Sequence, residues 1–291
     1  MSWGYTMARP VPNTEGCCFV LGFVLSLACG PDGAQTDSGT GTSTGDDASS
    51  TGTPTGSSSG GLEPCGLVHE GDLKILEDTD LASLTDLGRV TGNLGIYMGK
   101  RDQRDLSFLS CLHTVDGRLY INDHTFLEST EGLENLKSVG ALSIFRNENL
   151  RVVTGFDQAR EIPLLQVSRN PALEELQFEA LETVKYMVIG ECAEMSPDAH
   201  HFALTGLSGF SSLTTVESLS LKGNEALMSA DLLDALDANG AATPVVSAVI
   251  RFNPLLPEAI VNAQLDALGV QSRIVCGNAE GDPKCYCEVG E

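Results

Sequence analysis

The sequence predicts a mainly β solenoid, a stack of short parallel strands with short helical inserts and a helical cap at its C-terminal end. Three observations predict it. A hexad with two apolar residues two apart and a polar close, clearest in Leu142-x-Ile144-x-x-Asn147, recurs eight times, at steps of 21 to 32 residues. Glycine is abundant at 31 residues while aromatics make up only 5% of the chain. That composition suits a narrow stack with tight turns better than a globule around a thick aromatic core.

The first 28 residues read as an export signal of the lipoprotein kind. Arg9 supplies a thin basic start, with Met1 or Met7 as the first residue, and Cys17 to Ala28 is a 12-residue apolar run, too short to span a bilayer. Ala28-Cys29-Gly30 follows at once. LSLACG resembles a bacterial lipobox, which implies lipidation of Cys29 and a membrane anchor on the cell envelope, at the outer membrane or cell surface. Residues 29–61 then form a tether: of the 32 residues from Gly30 to Gly61, 23 are Gly, Ser or Thr, and no large apolar residue is present to repay the entropy of ordering. Its typical span as a flexible coil is about 30 Å. Gly41-Thr42-Ser43-Thr44-Gly45 spells GxSxG but lacks the flanking strand and helix that a serine hydrolase needs.

The repeat domain occupies residues 62–291. Its hexads centre on Ile75, Ile96, Ile121, Ile144, Val167, Ile189, Leu221 and Ile250, a spacing in the leucine-rich-repeat range. Apolar residues two apart bury one face of a strand, and each unit can bury that face only against its neighbours. The closing slot holds Asp78, Gly99, His124, Asn147, Asn170, Cys192, Asn224 and Asn253. An amide there can bond backbone groups at the turn, so Asn147, Asn170, Asn224 and Asn253 are expected to stack as an asparagine ladder. Between hexads runs a second apolar set, such as Leu127, Leu133, Leu136 and Val139, followed by Gly140, with Gly117 in the matching place one unit earlier; these glycines are expected to let the chain turn sharply into the next strand.

Helical inserts are expected where the step lengthens. SPDAHHFAL opens at Ser196 with a cap residue and an early proline. SADLLDALDANG, from Ser229, sets Leu232, Leu233 and Leu236 on one side and ends on Gly240. The last, Leu256 to Leu268, has Pro257 near its start and is expected to lid the open end of the stack.

A formal charge of -23, from 40 acidic and 17 basic residues, disfavours nucleic-acid binding and suits a solvated, exported protein. No cofactor or metal is expected: no DxDxDG-type calcium loop is present, and Cys276, Cys285 and Cys287 lack a zinc spacing. His200 and His201, near Glu191, Cys192 and Glu194, point different ways on a helix and read as a solvated pair. No carboxylate pair stands out among the 40 acids, so a β-helix carbohydrate-active enzyme is the alternative function and a purely structural envelope protein a further one. The leading function is non-enzymatic recognition or adhesion, with a protein or glycan bound on the outward strand face. The candidate residues there are Tyr97, Tyr120, Phe145, Gln166, Ser168, Lys222 and Arg251, and the three aromatics on neighbouring rungs are expected to form one patch.

Val115-Asp-Gly117-Arg-Leu119-Tyr-Ile121, GALSIFRNENL from Gly140, and Cys65 followed by Leu109-Ser-Cys111 together resemble the receptor L domain. That family is the leucine-rich, right-handed β-helix of insulin-receptor and EGF-receptor ectodomains, with relatives on exported bacterial lipoproteins. The resemblance covers roughly Leu62 to Asn253 and speaks to fold rather than ligand. It implies a disulfide between Cys65 and Cys111 and a C-terminal staple of Cys276 with Cys285 or Cys287. Cys192, in an asparagine slot, is left as a candidate buried thiol.

Overall fold

Two apolar residues per hexad are enough to close a core when hexads stack, and the computed structural model shows them stacked in register. It describes residues 65–191, 203–240 and 245–281, and Cys285. The export signal, Cys29, the tether, Cys192, the segment from Ser196 through His200 and His201, and Cys287 lie outside the described residues.

Nine parallel rungs form one sheet. The first is split into β1 (Leu67–His69) and β2 (Leu73–Leu76), the second into β3 (Leu87–Val90) and β4 (Leu94–Tyr97). Both halves merge in the third, β5 (Thr114–Asn122), and the stack continues through β6 (Ser138–Phe145). The short strands β7 (Val152–Val153) and β9 (Glu175–Leu176) pair with each other in a separate sheet, while β8 (Glu161–Ser168) and β10 (Thr183–Gly190) carry the main one onward. β11 (Thr215–Lys222), α1 (Asp231–Ala238), β12 (Val245–Arg251), α2 (Glu258–Ala267) and β13 (Ser272–Cys276) complete it.

The pairing register runs Ile75, Ile96, Ile121, Ile144, Val167, Ile189, Leu221, Ile250 without a slip. All eight side chains are fully buried, as are Leu94, Leu119, Leu142, Leu165, Met187 and Leu219 two places before. Each buried side chain of this size contributes roughly 1.5–3 kcal/mol. The register then adds a ninth residue, Val275, opposite Ile250. Its hexad, Arg273-x-Val275-x-x-Asn278, escapes the sequence pattern because arginine stands where leucine is expected. At the last rung the core ends, and the Arg273 guanidinium reaches out to Asp266 at 2.7 Å.

Gly117 and Gly140 are not turn residues. They sit inside β5 and β6, and a Cβ on either would stand 2.7 Å or less from a backbone oxygen of the preceding rung. Close stacking of rungs, not φ freedom, selects glycine there. The backbone does turn left-handed two places after the central residue, at Asp123, Arg146, Arg169 and Phe252, with φ between 55° and 61°.

Three phenyl rings the sequence pattern did not single out, Phe156, Phe178 and Phe210, stack inside the core at centroid distances of 4.9 and 5.3 Å. α1 buries Leu232, Leu233 and Leu236, and Gly240 follows it at φ 66°. α2 lies between β12 and β13 and meets α1 through a hydrogen bond from Gln264 to Asp234 at 2.7 Å. β13 is the last strand of the sheet. Disulfides join Cys65 to Cys111 and Cys276 to Cys285.

Candidate binding face

A strand with one face in the core presents its alternate residues outward. Along the stack this makes two outward columns beside the central residue. One place before it stand Lys74, Gly95, Tyr120, Ser143, Gln166, Val188, Ser220, Val249 and Ile274; one place after it stand Leu76, Tyr97, Asn122, Phe145, Ser168, Gly190, Lys222, Arg251 and Cys276. Two positions on each of nine rungs thus hold three basic residues and no acid, in a chain with 40 acids. These two columns are therefore net positive in an acidic protein.

Tyr97 and Tyr120 occupy different columns yet meet, with ring centroids 6.4 Å apart and 30° between planes. Gly95 makes this possible: a Cβ there would fall 2.3 Å from Cε2 of Tyr97, so the ring lies against the backbone of its own strand. Phe145 plays a different part. Arg146 and Arg169 place their guanidinium carbons 5.0 and 5.1 Å from its ring centre, and each is ion-paired as well, Arg146 with Asp123 at 2.5 Å and Arg169 with Glu191 at 2.8 Å. The expected three-ring patch is therefore a two-tyrosine shelf beside a phenyl ring carrying two cations. Arg118, which the sequence did not flag, puts its guanidinium 5.4 Å from the Tyr120 ring centre. Its signal was visible as a basic residue two before Tyr120 in β5.

The remaining candidates spread along the face. Gln166 is half-buried between Ser143 and Val188 in register, Ser168 is buried, and Lys222 lies opposite Arg251, which is itself only 7% exposed. These four do not join the tyrosine shelf into one site.

The turn edge of the stack is structural. Asn147, Asn170, Asn224 and Asn253 each donate a side-chain N–H to the carbonyl of the central residue one rung back: Ile121, Ile144, Ile189 and Leu221, at 2.9 to 3.1 Å. Asn278 does the same to Ile250. Where the next rung's amide is described, its Oδ1 accepts from the slot residue's backbone N–H, as Asn170 does from Asn147 and Asn278 from Asn253. His124 takes an asparagine's place, its Nε2 lying 3.0 Å from the Ile96 carbonyl. A carbonyl only accepts, so Nε2 carries the proton. Burial pushes this imidazole down to about 4, opposed by the hydrogen bond to Ile96.

A shallow depression of about 500 Å³ lies where β5, β6 and β8 bend, lined among others by Asp116, Lys137, Arg160 and Glu161. Of its two carboxylates, Asp116 accepts from Arg89 at 2.6 Å. Among the described residues no group of three or more His, Cys, Asp or Glu side chains is placed to hold a metal.

No curated protein and no solved structure matches the chain. Residues 70–203 match the family model of the Receptor L domain, a non-catalytic ligand-recognition module of receptors. The matched segment runs from β2 through β10 and contains the tyrosine shelf, Arg118 and Phe145 with its two arginines.

Proposed function

We propose that the protein is a non-enzymatic recognition module of a bacterial envelope, held at the membrane by lipid on Cys29 and presenting the outward face of its sheet to a ligand. The observation that carries this reading is the tyrosine shelf. The fold requires only that outward positions tolerate solvent, yet Gly95, Tyr97 and Tyr120 are arranged so that two aromatic faces adjoin on an open surface. The apolar run ending at Ala28-Cys29-Gly30 and the polar residues after it support the anchor.

Two experiments test this. Retention of the Cys29→Ala chain on isolated envelope is compared with that of a variant also carrying Tyr97→Ser, Tyr120→Ser and Phe145→Ser. A control variant replaces the exposed Met228 and Leu255 by Ser. At least tenfold weaker retention for the first variant alone is expected; equal retention of all three overturns the reading. Mass spectrometry of the unaltered chain from a membrane fraction should show a lipid-bearing N-terminal Cys29, and an unlipidated soluble chain cut elsewhere removes the anchor.

A further inference from the structure

Resting on the sheet face as the binding face, we infer that its ligand is an acidic polysaccharide, with uronate carboxylates taken by Lys74 and Arg118 and sugar-ring faces stacked on Tyr97 and Tyr120. Lys74 stands opposite Gly95 in register, beside the ring of Tyr97 that lies over that glycine. Arg118 lies at the far end, beside Tyr120. The shelf therefore has a cation at each end, and Lys74 and Tyr120 are separated by two rungs, or about 10 Å.

Neither cation makes an ion pair among the described residues, whereas Arg89, Arg104, Arg146, Arg160, Arg169 and Arg273 all do. The nearby carboxylate, Asp72, accepts from the Asn93 backbone N–H at 2.7 Å and side-chain N–H at 3.2 Å; those bonds and, less strongly, the charge of Lys74 hold its carboxyl below the usual value, so it stays anionic near Lys74 without forming an ion pair with it. At physiological salt the screening length is about 8 Å, so an anion on the shelf is governed by the charges beside it, Lys74 and Arg118 against Asp72, more than by acids farther off.

The shape decides between partners. Aromatic anchors of protein interfaces gain most when they fill a desolvated pocket. Here the Tyr97 ring lies over Gly95 with Tyr120 beside it, and two depressions, one lined by Asp116 and Glu161 and one between α1 and α2, lie elsewhere. A flat ring with one apolar face meets such a shelf without needing a pocket. A guanidinium fixed by stacking on Tyr120 presents its planar donors to a carboxylate.

Titration calorimetry of the Cys29→Ala chain with tetragalacturonate, its methyl ester and tetraglutamate tests the inference. Tetragalacturonate is expected to bind, with the methyl ester, which loses the carboxylate at both cations, about a hundredfold weaker, and the Lys74→Gln and Arg118→Gln variants each about tenfold weaker, the loss of one charge-assisted bond. Tyr97→Ala is expected to weaken it similarly, and Arg151→Gln, an exposed cation away from the shelf, to leave it unchanged. Equal binding of acid and ester overturns the carboxylate assignment, and tighter binding of tetraglutamate overturns the polysaccharide. Absence of binding to tetragalacturonate also overturns it. If envelope retention still depends on the sheet face in that case, recognition stands without the polysaccharide; if that dependence is absent too, both readings fall.

Discussion

Rungs one to three and rungs seven to nine carry the same kind of inner column on their central residues but different outward faces. The first group displays Lys74, Tyr97, Arg118 and Tyr120; the second displays Ser218, Ser220, Ser247 and Ser272 beside Lys222, Val249, Arg251 and Ile274, with Ser247 close enough to donate to Ser218 at 3.3 Å. Only the first set places two aromatic rings side by side. Since the central residues at both ends are aliphatic and, up to Ile250, fully buried, they explain the fold at either end and leave the outward difference for function to explain.

The largest effect comes from the core that lies between the two regions. Phe178→Ala opens a cavity in the phenyl stack and is expected to lower unfolding free energy by about 3–5 kcal/mol in a denaturant titration; a loss under 1 kcal/mol would mean that the core closes without the stack. His124 gives the next effect, through pH. Its folded pKa of about 4 lies below the ordinary 6.5, so the unfolded chain binds the proton first. Stability is full above pH 6.5 and is lost as pH falls from 6.5 toward 4, by up to about 3 kcal/mol. His124→Asn, which keeps the donor without the titration, should flatten that window.

Asn253→Ala acts at the other end of the same edge. It strips partners from the buried Leu221 carbonyl and the Asn224 N–H, and a loss of about 1–3 kcal/mol is expected. The smallest effect sharpens the contrast most. Ser220→Ala should change stability by no more than about 0.5 kcal/mol and leave envelope retention intact. Tyr120→Ala, the other half of this pair, should be measured for retention, where a large loss is expected despite a modest change in melting.

Much of the stack was legible because the core repeats every rung. Eight central residues chosen by spacing alone all fall in one hydrogen-bonded register. The ninth was hidden because Arg273 breaks the apolar rule where no further rung needs covering. The phenyl stack was hidden because Phe156, Phe178 and Phe210 lie outside the hexad, in connections whose lengths differ. The face was half legible: alternation marks Tyr97 and Tyr120 as outward, but only the absent Cβ of Gly95 lets one ring turn toward the other. Arg118 was passed over because a guanidinium becomes informative through its partners, and partners are set by the register of neighbouring rungs.

The bond between Cys65 and Cys111 spans 46 positions, and β1, β2, β3 and β4 all lie inside that span. A pull applied on the N-terminal side of Cys65 passes through the sulfurs to Cys111, at the threshold of β5, and leaves the loop between them slack. Tension that would otherwise peel the stack from its first strand is delivered to its third rung instead. Lys74 and Tyr97 sit inside the unloaded loop, while Arg118 and Tyr120 lie just beyond its far anchor, so the first strands to bear load would be those with neighbours on both sides.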